Sequence, residues 1–168
     1  MGFMNQVTGN LRLMLQRPPR QQYAALCYRM KKKQGQLEVL VATSRDTGRW
    51  VIPKGWPMTG KKAYQVAERE AFEEVGVKGK IGKEPLGYYN YRKTLTNGLK
   101  IPVQVQVHAL EVTECLKSFP EKGSRTLEWV SCEEAANRVH EPELKILLLQ
   151  FAEKMQPRIP PLPTKAAS

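Results

Sequence analysis

The sequence predicts a single α/β or α+β sandwich, and three observations predict it. At 168 residues the chain is long enough for one domain with its own core and short for two. Strand-like segments are interspersed with a few helical ones, the pattern of helices packed on a sheet. Residues 103–107 read V-Q-V-Q-V, a strict alternation that gives a strand one apolar and one polar face.

Taken in order, residues 1–19 mix apolar and basic side chains without a continuous apolar stretch. They read as a flexible basic arm ending at Pro18-Pro19 rather than a secretory signal. The domain proper is expected over residues 20–155. Within it, strands are predicted at 23–28 and 37–42, joined by a polar turn at 31–35, with a short third strand at 50–52. A helix should run from about 62 to 75 and stop at Gly76. Strand-like stretches follow at 80–89, 101–111 and 125–130, with helices at 132–138 and 142–154. Residues 156–168 are Pro-rich and predicted to be a disordered tail, because proline neither continues a helix nor completes a ladder.

Composition removes several classes of function. No apolar run approaches the ~20 residues needed to cross a bilayer, so no membrane span is expected and the location is read as cytoplasmic. Cys27, Cys115 and Cys132 are odd in number and widely separated, which argues against a disulfide framework or a zinc site. Charge is more informative. The net is +11, and residues 1–35 carry seven basic side chains and no acidic one. Such a surface favours anionic partners: polyphosphates, nucleic acid or an acidic membrane surface.

The chemistry concentrates in residues 55–77, GWPMTGKKAYQVAEREAFEEVGV. On a helix, Glu70, Glu73 and Glu74 fall at i, i+3 and i+4, one side of the helix about a turn apart. Clustered anions are tolerated on a solvated face or around a hard divalent cation, and Mg²⁺ or Mn²⁺ prefers such oxygen ligands. Arg69, four residues before Glu73, is placed to pair with it. Ala63, Val66, Ala67, Ala71 and Val75 give the helix a separate face to bury. Upstream, Pro53-Lys54-Gly55 forms a turn in which a glycine permits close backbone approach, a carbonyl can face the same cation, and Lys54 adds a positive charge.

This segment resembles the signature of the Nudix hydrolases, Gly-x5-Glu-x7-Arg-Glu-U-x-Glu-Glu-x-Gly-U, where U is aliphatic. Gly55, Arg69, Glu70, Glu73, Glu74, Gly76 and Val77 match, and Ala71 fills the first U. Lys61 stands where the signature has its first Glu, and by resemblance that position is less central to metal binding than the later three. The flanks VATSRDTGRWVIPKGW and FPEKGSRTLEWVSCEEA are similar to the subgroup of diadenosine tetraphosphate hydrolases and diphosphoinositol polyphosphate phosphohydrolases.

The resemblance implies an α/β/α sandwich around a mixed β-sheet and a metal-dependent pyrophosphohydrolase acting on a highly charged polyphosphate. It implies Mg²⁺ or Mn²⁺ held by Glu70, Glu73, Glu74 and the Lys54 backbone carbonyl, with an activated water attacking phosphorus. Arg45, Arg49, Lys54, Arg92 and Lys93 lie on loops that the family fold would gather around the phosphates, and Trp56 is a candidate substrate wall. Glu121 is the candidate for a loop carboxylate delivered to the metal or the attacking water, with Glu128 competing for that role. His108 and His140 read as structural and loop residues, and Trp50 and Trp129 as core or cleft-wall aromatics. Two alternatives stand beside this reading: an RNA 5′-end pyrophosphohydrolase, and a non-catalytic phosphate-binding module. The sequence leaves the oligomeric state open.

Overall fold

The computed structural model describes residues 18–31 and 33–156. Most of the basic arm (residues 1–17) and nearly all of the Pro-rich tail (157–168) therefore lie outside the described residues. Eight strands form one mixed sheet: β1 Arg20–Lys31, β2 Gln36–Thr43, β3 Trp50–Val51, β4 Lys54–Gly55, β5 Val77–Ile81, β6 Gly87–Thr94, β7 Lys100–Cys115 and β8 Leu127–Val130. Three α-helices accompany them: α1 Ala63–Glu70, α2 Cys132–Arg138 and α3 Pro142–Met155.

The sheet is ordered β3-β2-β1-β7-β5, with β8 on β2, β4 on β1 and β6 on β7. Its spine is the parallel pair β1 and β7, in register from Arg20 opposite Val103 to Tyr28 opposite Glu111. Both faces of this spine are buried, because successive side chains alternate across a strand. Ala24 and Leu26 of β1 join Val103, Val105 and Val107 under α2 and α3, where Leu144, Leu148 and Phe151 complete one core layer. Ala25 and Cys27 point the other way, to Ala67, Ala71, Val75 and Leu110. The result is the α/β/α sandwich that the sequence implies. Among the described residues no helix is long and apolar enough to cross a membrane.

Three expectations are corrected. The stretch 80–89 is two strands, β5 and β6, separated by a segment containing Gly82 and Pro85, and both pair with the 16-residue β7. A proline cannot donate to a ladder and a glycine weakens one, so the break falls there. The last strand begins at Leu127, which frees Arg125 from the sheet. The helix expected over 62–75 changes character midway: α1 ends at Glu70 and Ala71–Val75 forms a π-helical turn. Wide turns of this kind recur at functional sites.

Candidate active site

The π-helical turn decides where the carboxylates point. A wider turn advances fewer degrees per residue, so Glu73 swings farther from Glu70 than in an α-helix, while Glu74 comes round beneath it. Glu70 and Glu74 accordingly line one cavity of about 400 Å³ together with Lys54, Arg45, Glu121 and Arg125. Glu73 is not among its lining residues; its Oε1 accepts a hydrogen bond from Arg69 Nε at 2.6 Å, the i, i+4 pair expected from spacing.

Both motif glycines have a steric reason. A Cβ on Gly55 would lie 1.9 Å from Glu70 Oε1, so the absence of a side chain lets that carboxylate rest against β4. Gly76 ends the turn at φ +67°, a left-handed conformation that favours glycine, and a Cβ there would meet the Phe119 ring at 2.1 Å. Leu116 N–H donates to Gly76 O at 2.8 Å and Glu121 N–H to Glu73 O at 3.0 Å. These contacts dock the loop after β7 on the helix and bring Glu121 and Arg125 to the cavity.

Electrostatics bind these parts together. Arg125, with only 8% of its side chain exposed, lies 3.1 Å from Glu74 Oε1 and 3.7 Å from Glu121 Oε1, and its Nη1 donates to Thr43 O at 3.1 Å. Lys54 N–H donates to Glu74 Oε2 at 3.4 Å. Burial raises the pKa of Glu74 against the opposing pull of Arg125 and Lys54. Burial, reinforced by Glu74, Glu73 and Glu121, pushes Glu70 up to about 7. Burial lowers the pKa of Lys54, partly offset by Glu74 and Glu141.

The donor set fits a hard divalent cation. Glu70 and Glu74 offer carboxylate oxygens, and Glu121 Oε1 is buried with no hydrogen-bond partner among the described residues, although Arg45 and Arg125 stand within ion-pair distance. No cysteine or histidine lines the cavity. Among the described residues no three His, Cys, Asp or Glu side chains converge to enclose an ion alone. Mg²⁺ suits such an open site, since it commonly takes one or two carboxylates and completes its shell with water and phosphate oxygens.

The other expected residues divide by position. Arg45 pairs with Glu121 Oε1 at 3.0 Å, and Lys93 and Trp56 also line the cavity, with Arg20 stacked 4.5 Å over the Trp56 ring. Arg49 and Arg92 line a smaller adjoining cavity instead. Lys61 is exposed at the entrance to α1 and lines a hollow on another side. Glu128 is held by Arg138 at 2.6 Å, away from the cleft. His108 is buried between Gly82 O and Gln106, His140 is exposed, and Trp50 and Trp129 lie beneath Arg138 and Arg29. Two further features of the cavity wall are not signalled by the motif: Arg125, and the Tyr91–Gln22 pair, joined by a 2.6 Å hydrogen bond. The signal for Arg125 is its place in the flank FPEKGSRTLEWVSCEEA, in a stretch that otherwise reads as strand.

Comparison with known proteins agrees with the fold. The family model described as NUDIX domain matches residues 20–151. The chain is 32% identical over 123 residues to Nudix hydrolase 12, mitochondrial, of Arabidopsis thaliana, covering 71% of this chain and 61% of that protein. It is 33% identical over 123 residues to diphosphoinositol polyphosphate phosphohydrolase 3-beta of Bos taurus, covering 71% and 70%. The crystal structure of Ap4A hydrolase from C. elegans is similar in fold, with a TM-score of 0.60 at 20% identity over 83% of this chain and all of that one.

Proposed function

Because the chain belongs to the Nudix hydrolase family, we propose that it is a metal-dependent pyrophosphohydrolase that cleaves a phosphoanhydride bond in a highly charged polyphosphate. The observation that carries the reading is the pairing of Glu70 and Glu74 in a cleft that also holds Glu121 and Asp46 and the four cations Lys54, Arg45, Lys93 and Arg125. Carboxylates and cations facing one another across one cleft suit a ligand that brings both phosphate oxygens and a divalent ion. The relatives named for diphosphoinositol polyphosphates and Ap4A point to substrates of the same charge class.

In this reading Glu70 and Glu74 hold Mg²⁺ or Mn²⁺, with the Lys54 carbonyl completing the protein's share and Glu73 fixed by Arg69 at its edge. The cation, when bound, neutralises phosphate oxygens and acidifies water at the site. Arg125 favours the ionised form of Glu74 against the effect of burial and orients it. Glu121 receives the proton of the water that attacks phosphorus in line, and the anhydride P–O bond breaks. Lys54 and Arg45 meet the charge that develops on the departing phosphate. No side chain forms a covalent bond to phosphorus. The catalytic unit is residues 20–155, with the basic arm adding long-range attraction for the anion.

The test is a hydrolysis screen with Mg²⁺ and with Mn²⁺ across diadenosine tetraphosphate, a diphosphoinositol polyphosphate, ADP-ribose and triphosphate-ended RNA. The reading expects cation-dependent turnover that is fastest on the small, highly charged substrates. Preference for the RNA would favour the nucleic-acid alternative. Binding without turnover on any of them would leave a phosphate-sensing module.

A further inference from the structure

Lys61, which stands where the Nudix signature has its first Glu, has no part in the chemistry of the cleft. It lines a separate hollow of about 440 Å³, together with Lys78 of β5 and one stripe of the carboxylate-bearing helix. Gln65, Glu68, Arg69 and Phe72 make that stripe at i, i+3, i+4 and i+7, a single helix face, whereas Glu70 and Glu74 line the catalytic cavity. The charge of the wall turns on residue 61. A Glu there would set two acids against Arg69 and Lys78, but the Lys sets three cations against Glu68 alone. Among the described residues neither Lys61 nor Lys78 forms an ion pair, although Glu114 stands opposite Lys78 across the β5–β7 pair.

The donors suit phosphate oxygens. Arg69 bonds Glu73 through Nε at 2.6 Å, which leaves both Nη groups to donate. Gln65 accepts the Lys62 N–H at its Oε1, 2.8 Å away, which leaves its amide NH₂ as a donor. Lys78 Nζ lies 5.6 Å from the centre of the Phe72 ring, whose face attracts the ammonium to the wall of the hollow. Each exposed cation alone is worth little, but an anion with several charges engages all three at once, and a guanidinium takes two phosphate oxygens together. We propose that this hollow is a second anion site, separate from the catalytic cleft, that takes a diphosphate group. Arg69 belongs to both regions: it holds Glu73 on the π-helical turn, so an anion bound beside it bears on the helix that carries Glu70 and Glu74. Binding there goes beyond the hydrolytic reading and needs no hydrolytic activity.

The test is a titration of the full-length chain, labelled with ¹⁵N, with inorganic pyrophosphate, without divalent cation and at an ionic strength held constant with sodium chloride. The backbone amides of Gln65, Lys78 and Gly79 report on the hollow, and those of Lys54 and Gly55 on the cleft. The first group should shift along a saturating curve of its own. Lys61→Glu, which restores the signature residue, and Lys78→Ala should each weaken binding read at the hollow by about tenfold, the scale for losing one charge-assisted contact. The dissociation constant read at Gly55 should stay within about twofold in both variants, well inside the tenfold that one such contact commands. Both substituted side chains are exposed, so folding is not at stake. No saturable shift at the hollow, or the same dissociation constant there in wild type and both variants, would overturn the proposal. So would shifts at the hollow that disappear in Lys54→Ala, since they would then be an echo of binding in the cleft.

Discussion

Arg125 Nη2 stands 3.1 Å from Glu74 Oε1 and 3.7 Å from Glu121 Oε1, so one buried guanidinium joins the helix carboxylate to the loop carboxylate. Its other arm holds the Thr43 carbonyl at the end of β2. Three elements distant in sequence are thereby fixed around the cleft. Removing the cation would leave Glu74 buried without its compensating charge.

Arg125→Ala should therefore cost about 3 kcal/mol of stability, on the scale for breaking a buried pair by deleting one partner. It should also reduce kcat/KM by roughly 10–100-fold, as expected for a residue that orients a metal-binding carboxylate. Denaturant unfolding and steady-state kinetics on the same preparation check both. Arg125→Lys should recover part of the stability but less of the activity, because an ammonium cannot span Glu74 and Thr43 at once.

Replacing the carboxylates should separate activity from stability. Glu70→Gln and Glu74→Gln are each expected to lower kcat by roughly 10²–10³-fold, the scale for deleting one electrostatic group from an active site. Glu70→Gln should leave the melting temperature unchanged or higher, since it removes a buried charge repelled by Glu74, Glu73 and Glu121. A calorimetric scan without divalent cation reads this directly. A large fall in melting temperature would mean that Glu70 has a structural partner.

The raised pKa of Glu70 also sets a pH dependence. Its carboxyl binds a proton up to about pH 7 in the folded chain but only up to about 4.5 when unfolded. Between these values the folded state holds more protons, so this group's contribution to stability falls as pH rises through the window and levels off above it. Bound divalent cation competes with that proton. The rise in melting temperature produced by Mg²⁺ should thus be larger at pH 8 than at pH 5.5, and Glu70→Gln should flatten the difference.

The strands around 103–107 and 37–42, the helix at 132–138 and the Arg69–Glu73 pair are legible in the sequence, because periodicity and spacing express local physics. Features that depend on several elements at once are less legible. Spacing alone puts Glu70, Glu73 and Glu74 on one face, and only the π-helical turn separates Glu73 from the cavity. Arg125 lies in a family-like flank, but its role is not local: its partner Glu74 is 51 residues away. Gly76 reads as a helix stop, whereas its second duty, making room for Phe119, needs the tertiary fold.

That second duty is testable. Gly76→Ala imposes a left-handed φ of +67° on a residue with a Cβ and pushes that Cβ into the Phe119 ring. A loss of about 1–3 kcal/mol is expected from the strain. Activity should fall further than the unfolded fraction explains, since the Phe119 loop carries Glu121. Pairing Gly76→Ala with Phe119→Ala should restore part of the stability but not the rate.

The most direct measurement is the rate at which the wild-type chain hydrolyses diadenosine tetraphosphate with Mg²⁺, with chelator, and in the Glu74→Gln variant with Mg²⁺. Turnover should appear in the first condition, vanish in the second, and fall by roughly 10²–10³-fold in the third. Hydrolysis that persists in chelator, or a Glu74→Gln variant as fast as wild type at saturating Mg²⁺, would contradict a cation held by Glu70 and Glu74 as the basis of the chemistry.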